Sequence, residues 1–119
     1  MAKKILVIED EPIIMMAMKT RLNLEGYEVL TAPDGKSGIE AAEKKKPDVI
    51  VLDIMLPDID GFTVCDTIKN RKKLKVKIVM VTSKIDAVDA TKARKSGADD
   101  FTVKTTNFEA VLSVIKKLL

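Results

Sequence analysis

The sequence of 119 residues contains no histidine, no tryptophan and a single cysteine. The absence of histidine makes zinc and copper poor candidates for any metal site. The lone Cys65 cannot form an internal disulfide, which favours a cytoplasmic location. Because aromatic residues amount to only 3% of the chain, the core has to be built from aliphatic side chains.

Long apolar runs and a strong charge of one sign are also absent. The runs Ile13–Met18 and Val49–Leu52 are far shorter than the roughly 20 residues of a membrane helix, so no membrane insertion is expected. No signal-like segment follows Met1–Lys4. The net charge of +3 is mild and the lysines alternate with acids, so direct nucleic-acid binding is not expected.

The length of 119 residues and the hydrophobic content of 46% fit one domain covering residues 1–119. No linker, repeat or low-complexity segment interrupts this stretch. No effector domain is therefore expected within this stretch, although a piece of a longer DNA-binding regulator would look the same.

Short β-branched runs alternate with stretches of helical spacing. The predicted strands are Ile5–Ile8, Glu28–Thr31, Val49–Leu52, Lys77–Val81 and Asp100–Val103. The predicted helices are Ile13–Leu24, Lys36–Lys45, Phe62–Lys69, Ala87–Lys95 and Phe108–Leu118. Strands that are apolar throughout require burial on both faces, which is typical of a parallel sheet between two layers of helices. The predicted fold class is α/β, doubly wound.

The residues just beyond the strands are candidates for a site, because ligands of open parallel sheets bind at the carboxyl ends of the strands. The first strand ends in the acids Glu9–Glu11 and the third in Asp53. The fourth ends in Thr82 and Ser83, and the fifth leads to Lys104. These four strand ends are expected to form one crevice.

Three carboxylates in one crevice repel one another unless a cation is present. Glu9, Asp10 and Asp53 offer only oxygen ligands, which favours Mg²⁺. The alternative that Glu9–Glu11 simply complements the dipole of the first helix is equally consistent with that segment alone.

Asp53 follows the apolar run Val49–Leu52 and precedes further apolar residues. A carboxylate in such a place needs partners, and it can act as a nucleophile in phosphoryl transfer. A metal, a cation and a hydroxyl group would then stabilise the developing charge, and Asp10 with Mg²⁺, Lys104 and Thr82 could supply them.

Four segments together resemble the response-regulator receiver family: ILVIEDEP (5–12), VLDIMLPDIDG (51–61), VTS (81–83) and GADDFTVK (97–104). The resemblance covers essentially the whole chain and implies a flavodoxin-like, five-stranded parallel sheet in the order 2-1-3-4-5. It also implies a histidine kinase or a histidine phosphotransfer protein as phosphoryl donor, an output partner that the sequence does not identify, and Mg²⁺ as cofactor. The implied roles are phosphoacceptor for Asp53, metal ligands for Glu9, Asp10 and the backbone carbonyl of Met55, and phosphoryl contacts for Thr82 and Lys104.

Two positions depart from the resembled family. Phe101 occupies the place of an aromatic switch residue that is most often tyrosine, so it could still move inward beside Thr82 but could not donate a hydrogen bond. Thr105 stands where proline usually follows Lys104. Because a cis bond before a non-proline residue costs roughly 3 to 4 kcal/mol, a trans bond between Lys104 and Thr105 is predicted.

The run Ile13–Met18 carries more apolar residues than a surface helix can bury. In the resembled family this helix meets the helical bundle of the kinase. Ile14 and Ala17, with Thr105 on a neighbouring loop, are therefore candidates for kinase docking, and a wider buried stripe is the alternative.

Two other functions fit the sequence less well. A Mg²⁺-dependent phosphatase with an aspartyl nucleophile would use the same acids but would need a cap or specificity loop, and the connections here are short. Flavin binding would need a glycine- and hydroxyl-rich loop after the first strand, where this chain has Glu9–Glu11.

Overall fold

The computed structural model describes residues 2–83 and 90–119, except for the side chains of residues 90 and 106. Their strands form one five-stranded sheet in the order β2-β1-β3-β4-β5, and every neighbouring pair is parallel. The strands are β1 (Lys4–Ile8), β2 (Glu28–Ala32), β3 (Val49–Asp53), β4 (Lys77–Thr82) and β5 (Asp100–Val103). The predicted strand order and parallel pairing are confirmed.

Helices follow the strands as predicted, with differences at their ends. They are α1 (Pro12–Leu24), α2 (Gly35–Lys45), α3 (Gly61–Asp66), α4 (Ala90–Lys95) and α5 (Glu109–Leu118). The predicted helix Phe62–Lys69 is α-helical only to Asp66, and a π-helical segment, Thr67–Arg71, continues it. The predicted start of the fourth helix, residues 87–89, lies outside the described residues.

The two faces of the sheet are covered by different helices. Alternate strand residues such as Leu6, Ile50 and Ile78 belong to a core cluster that also contains residues of α2, α3 and α4. The other strand residues, such as Val7 and Val51, pack with residues of α1 and α5. Val49–Leu52 is fully buried, which is the burial on both faces that its apolar sequence predicted.

Buried residues of α1 and α5 share one core cluster on the same face of the sheet. Met18 and Leu22, one helical turn apart, point from α1 into the second cluster, where Val111, Leu112 and Ile115 of α5 also lie. Each fully buried aliphatic side chain contributes roughly 1.5 to 3 kcal/mol. Within the ranges 2–83 and 90–119, no helix has the length and apolar character that crossing a membrane requires.

Candidate functional site at the carboxyl ends of the strands

The register of the central strands places the predicted site residues at one edge of the sheet. Ile8 of β1 is paired with Leu52 of β3, so Glu9, which follows β1, and Asp53, the last residue of β3, lie side by side. Asp53 is in turn paired with Val81 of β4. The residues that end β1, β3 and β4 therefore meet at this edge because their strands are parallel and in register.

Lys104 connects two of the acids. Its ammonium donates one hydrogen bond to Glu9 Oε1 and a second one, 3.1 Å long, to Asp53 Oδ2. The side chain of Lys104 is 9% exposed, that of Glu9 is 2% exposed and that of Asp53 is 10% exposed. A backbone bond of 2.8 Å from Lys104 N to the carbonyl of Thr82 fixes the start of this loop on β4.

Burial changes how readily these groups carry charge. Burial raises the pKa of Glu9, and Asp53 raises it further, against the opposing hydrogen bond from Lys104. Burial alone would lower the pKa of Lys104, but the hydrogen bond to Glu9 and the charges of both carboxylates outweigh it and raise that pKa. Lys104 therefore remains an ammonium ion at neutral pH and is the counter-ion of the site.

Asp10 completes the acidic group at the exposed side. Carboxylate oxygens of Glu9, Asp10 and Asp53 lie within 4.8 Å of one another. Asp10 is exposed, whereas Glu9 and Asp53 are buried, so the cluster opens to solvent on one side. Three oxygen donors with room for water ligands fit a small hard cation such as Mg²⁺, which keeps several of its waters when it binds.

The loop after Asp53 is held close to the site. Met55 N donates to Asp53 Oδ1 over 3.1 Å, while the Met55 side chain is 70% exposed. Gly61 N donates to the carbonyl of Ile54 over 2.8 Å. A Cβ at position 61 would lie 2.5 Å from the Asp53 carbonyl oxygen, so only glycine allows this return of the chain. The sequence placed Gly61 at a junction but gave no sign of this close approach.

The two predicted switch residues, Thr82 and Phe101, lie on the neighbouring strands β4 and β5. Thr82 is the last residue of β4 and is 3% exposed. Phe101 pairs with Met80 across β4 and β5 and packs, partly buried, against the core cluster beneath α2 and α3. The two predicted switch residues are thus on adjacent strands.

The predicted trans bond between Lys104 and Thr105 is confirmed, because the described residues contain no cis peptide bond. Thr105 is exposed and its hydroxyl accepts a 3.3 Å hydrogen bond from Ala110 N, in the first turn of α5. The loop that begins with Lys104 is therefore tied to α5 at its other end.

The apolar run in α1 exposes Ile13 and Met16 in addition to the predicted residue Ala17. Ile14 is partly buried against the second core cluster, and Ala17 is exposed and lines a groove of about 460 Å³ beside Phe108. In the first half of α1 the large exposed apolar residues are Ile13, which is 81% exposed, and Met16, which is 65% exposed. A run of six apolar residues conceals the helical phase, so the sequence could not identify these two.

Residues 5–116 match the response regulator receiver domain. The chain belongs to this family. Among curated relatives, it is 40% identical to the alkaline phosphatase synthesis transcriptional regulatory protein PhoP of Bacillus subtilis over all of this chain and 49% of that protein. It is 37% identical to the transcriptional regulatory protein AfsQ1 of Streptomyces coelicolor over 97% of this chain and 50% of that protein. The receiver domain spans half or less of the length of these relatives.

Solved structures show the same fold. The response regulator TrrA of Thermotoga maritima, solved in complex with Mg²⁺-BeF, superposes with a TM-score of 0.90 at 35% identity, over 98% of this chain and 99% of that one. The chemotaxis response regulator CheY4 of Vibrio cholerae superposes with a TM-score of 0.90 at 28% identity over the full length of both chains. The receiver domain therefore has the flavodoxin-like architecture of two-component response regulators.

Proposed function

We propose that this receiver domain accepts a phosphoryl group on the carboxylate of Asp53, with a histidine kinase or a histidine phosphotransfer protein as donor. The observation that supports the proposal best is the position of Asp53. It is a buried carboxylate that shares the ammonium of Lys104 with Glu9 and lies within 4.8 Å of the carboxylates of Glu9 and Asp10. The Mg²⁺-BeF complex of TrrA concerns a related protein with the same fold.

The transfer is a displacement at phosphorus. An oxygen of the Asp53 carboxylate attacks the phosphorus of the donor's phosphohistidine, so a P–O bond forms while the P–N bond breaks and its electron pair leaves with the imidazole. The product is an acyl phosphate, which water later hydrolyses to the free carboxylate and inorganic phosphate. The role is therefore that of a signalling phosphoacceptor that catalyses its own transfer and slow release.

The residues around Asp53 would bind the metal ion and contact the phosphoryl group. Glu9, Asp10, Asp53 and the Met55 carbonyl would hold Mg²⁺, which supplies positive charge to the phosphoryl oxygens during transfer. Lys104, already 3.1 Å from Asp53, pairs with the phosphoryl group as a second cation. Thr82 donates its hydroxyl to a phosphoryl oxygen.

Switching would follow from the movement of Thr82 towards the phosphoryl group. Phe101, on the adjacent strand, then fills the space that Thr82 leaves, and the changed surface near β5 binds the output partner. Ile14, Ala17 and Thr105 remain candidates for the kinase contact, now extended to the exposed Ile13 and Met16. A cytoplasmic location is part of the proposal.

A second candidate function is that of the receiver part of a longer DNA-binding regulator. Six of the curated relatives are named as transcriptional regulators or regulatory proteins, and this chain spans between 39% and 50% of their length. In that case the receiver would control a DNA-binding domain of a longer chain, with the same chemistry at Asp53.

The test of the proposed function is incubation with acetyl phosphate and Mg²⁺, followed by intact mass measurement. The wild type should gain one phosphoryl group that mild base removes, and Asp53→Asn, which keeps the shape of the side chain but lacks the nucleophile, should gain none. An adduct on Asp53→Asn at the wild-type rate would show that another residue accepts the group. Sustained turnover of phosphate monoesters would favour the phosphatase alternative.

A further inference from the structure

The loop between β3 and α3 (residues 54–60) is tied to helix α2 by Asp58. Its Oδ1 accepts a hydrogen bond of 2.8 Å from Gly35 N, and its Oδ2 accepts one of 2.9 Å from Lys36 N. Oδ1 also accepts from Ile59 N, within the loop, at 2.8 Å. One carboxylate therefore joins the loop to α2, although Asp58 lies 23 residues after Gly35 and 22 residues after Lys36 in the sequence.

These contacts complete the capping of α2. The first four amides of a helix have no partner inside the helix. Asp34 accepts from Ser37 N through its side chain and from Gly38 N through its carbonyl, which leaves the amides of Gly35 and Lys36 for Asp58. Those two amides lower the pKa of Asp58 below its usual value, so the carboxylate stays ionised at the positive end of the helix.

The loop and α2 are in close contact, and the hydrogen bonds of Asp58 fix their relative position. A Cβ at position 35 would lie 2.8 Å from Val64 Cγ2 and 3.2 Å from Asp58 Oδ1. The two oxygens of Asp58 meet two successive amides, which fixes the direction of the carboxylate as well as its distance. Leu56 and Ile59 also pack against the core, but apolar contacts of this kind do not fix a direction.

Met55 lies three residues before Asp58, and its own side chain does not fix its position. That side chain is 70% exposed, so packing does not hold its peptide group in place. The Met55 amide reaches Asp53 Oδ1 at 3.1 Å, and the Met55 carbonyl is the proposed backbone ligand of Mg²⁺. The position of this carbonyl depends on where the rest of the loop is held.

We propose that Asp58 is a positioning residue for the phosphorylation site: by binding the first two amides of α2, it holds the β3–α3 loop so that the Met55 backbone faces Asp53 and the bound cation. This inference rests on the proposed Mg²⁺-dependent phosphorylation of Asp53. Asp58 touches neither the cation nor the phosphoryl group and acts through the loop.

A variant pair separates this role from general stability. Asp58→Ala removes two caps of α2 that come from the loop, and Asp34→Ala removes a cap of the same helix that comes from its own segment. Both variants should lower the unfolding temperature. Only Asp58→Ala should weaken Mg²⁺ binding, by roughly tenfold as for other residues that orient metal ligands. Asp58→Asn, which keeps one acceptor oxygen, should lie between Asp58→Ala and the wild type.

The experiment measures two quantities for wild type, Asp58→Ala and Asp34→Ala: the dissociation constant of Mg²⁺ by calorimetry, and the hydrogen exchange of the Met55 amide without metal. The inference requires faster exchange and weaker binding in Asp58→Ala alone. Equal changes in the two variants, or no change in Asp58→Ala, would overturn it. Faster exchange of Met55 in Asp58→Ala together with no Mg²⁺ binding by the wild type would contradict the proposed function and the metal role of Asp58, but would support its hold on the loop.

Discussion

Lys104 places its ammonium 3.1 Å from Asp53 Oδ2 while it also donates a hydrogen bond to Glu9 Oε1. One cation therefore serves two buried carboxylates that come from different strands. This arrangement explains how the acids are accommodated before any metal or phosphoryl group arrives, because two buried carboxylates without a cation would repel one another.

Removal of the Lys104 ammonium should lower the free energy of unfolding, by an amount that depends on pH. Lys104→Met keeps the length of the side chain but leaves Glu9 and Asp53 unpaired, so the free energy of unfolding should fall by about 3 kcal/mol at pH 8. The loss should be smaller at pH 5. The pKa of Glu9 is raised in the folded state. As the pH falls towards the ordinary pKa of a glutamate, the folded variant therefore takes up a proton on Glu9 more readily than the unfolded chain and becomes more stable. This stability is lost again as the pH rises.

Urea unfolding at both pH values measures this difference. Lys116→Met is the control, because Lys116 pairs with Glu25 on the surface and is 60% exposed, and its loss should cost no more than about 1 kcal/mol. A similar cost for the two variants at pH 8 would mean that the site's acids do not depend on Lys104.

Mg²⁺ should stabilise the fold through Asp10. At a Mg²⁺ concentration ten times the dissociation constant, the gain is about 1.4 kcal/mol, or an increase of roughly 5 °C in unfolding temperature for a domain of this size. Asp10→Asn should lose most of this increase. Glu11→Gln is the control, since Glu11 is the adjacent exposed acid but is not in the cluster. If Asp10→Asn gains as much as the wild type from Mg²⁺, the cation binds elsewhere.

The contrast between Asp53 and Asp58 shows how far the sequence can predict the site. Asp53 could be predicted because it ends an apolar strand, and parallel strands bring their carboxyl ends to one edge. The role of Asp58 could not, because its partners Gly35 and Lys36 lie more than 20 residues away and only the packing of α2 against the loop brings them together. The same limit applies to Gly61, whose need for a missing Cβ arises from the Asp53 carbonyl.

The strands were predicted almost to the residue, whereas the sequence did not single out Ile13 and Met16 as exposed residues of α1. In β3 every residue is buried, so an apolar run is enough to identify it. In α1 the run Ile13–Met18 supplies apolar side chains in every direction, and its phase is decided by Met18 and Leu22 packing against α5. The π-helical segment after α3 also left no sign in the sequence.

The exposed residue Ile13 should contribute to kinase docking. Ile13→Glu should leave stability nearly unchanged, because the side chain is 81% exposed, but should slow phosphoryl transfer from the cognate kinase by about tenfold, as loss of a buried apolar anchor in an interface does. Labelling by acetyl phosphate, which needs no docking, should keep its rate.

Leu24→Glu is the matched control for this prediction. Leu24 is 75% exposed on the same helix but lies about 16 Å further along the axis, away from the site. Equal slowing by both substitutions, or slowing of acetyl phosphate labelling by Ile13→Glu, would count against docking at this end of α1.

The last prediction concerns Cys65, whose thiol is buried beneath α3. Burial raises its pKa from the usual 9.0 to about 11, against a smaller opposing effect of Ser96, so the folded protein carries about a hundredth of the ordinary thiolate at pH 8. Because the folded pKa exceeds the unfolded one, the stability linked to this group is complete below pH 9.0 and declines as the pH rises towards 11. Alkylation by iodoacetamide at pH 8 should therefore be slow in native protein, at a rate set by transient unfolding, and fast in urea. Rapid alkylation of native protein at pH 8, with no change in the rate when Mg²⁺ stabilises the fold, would show that the thiol is accessible in the folded state.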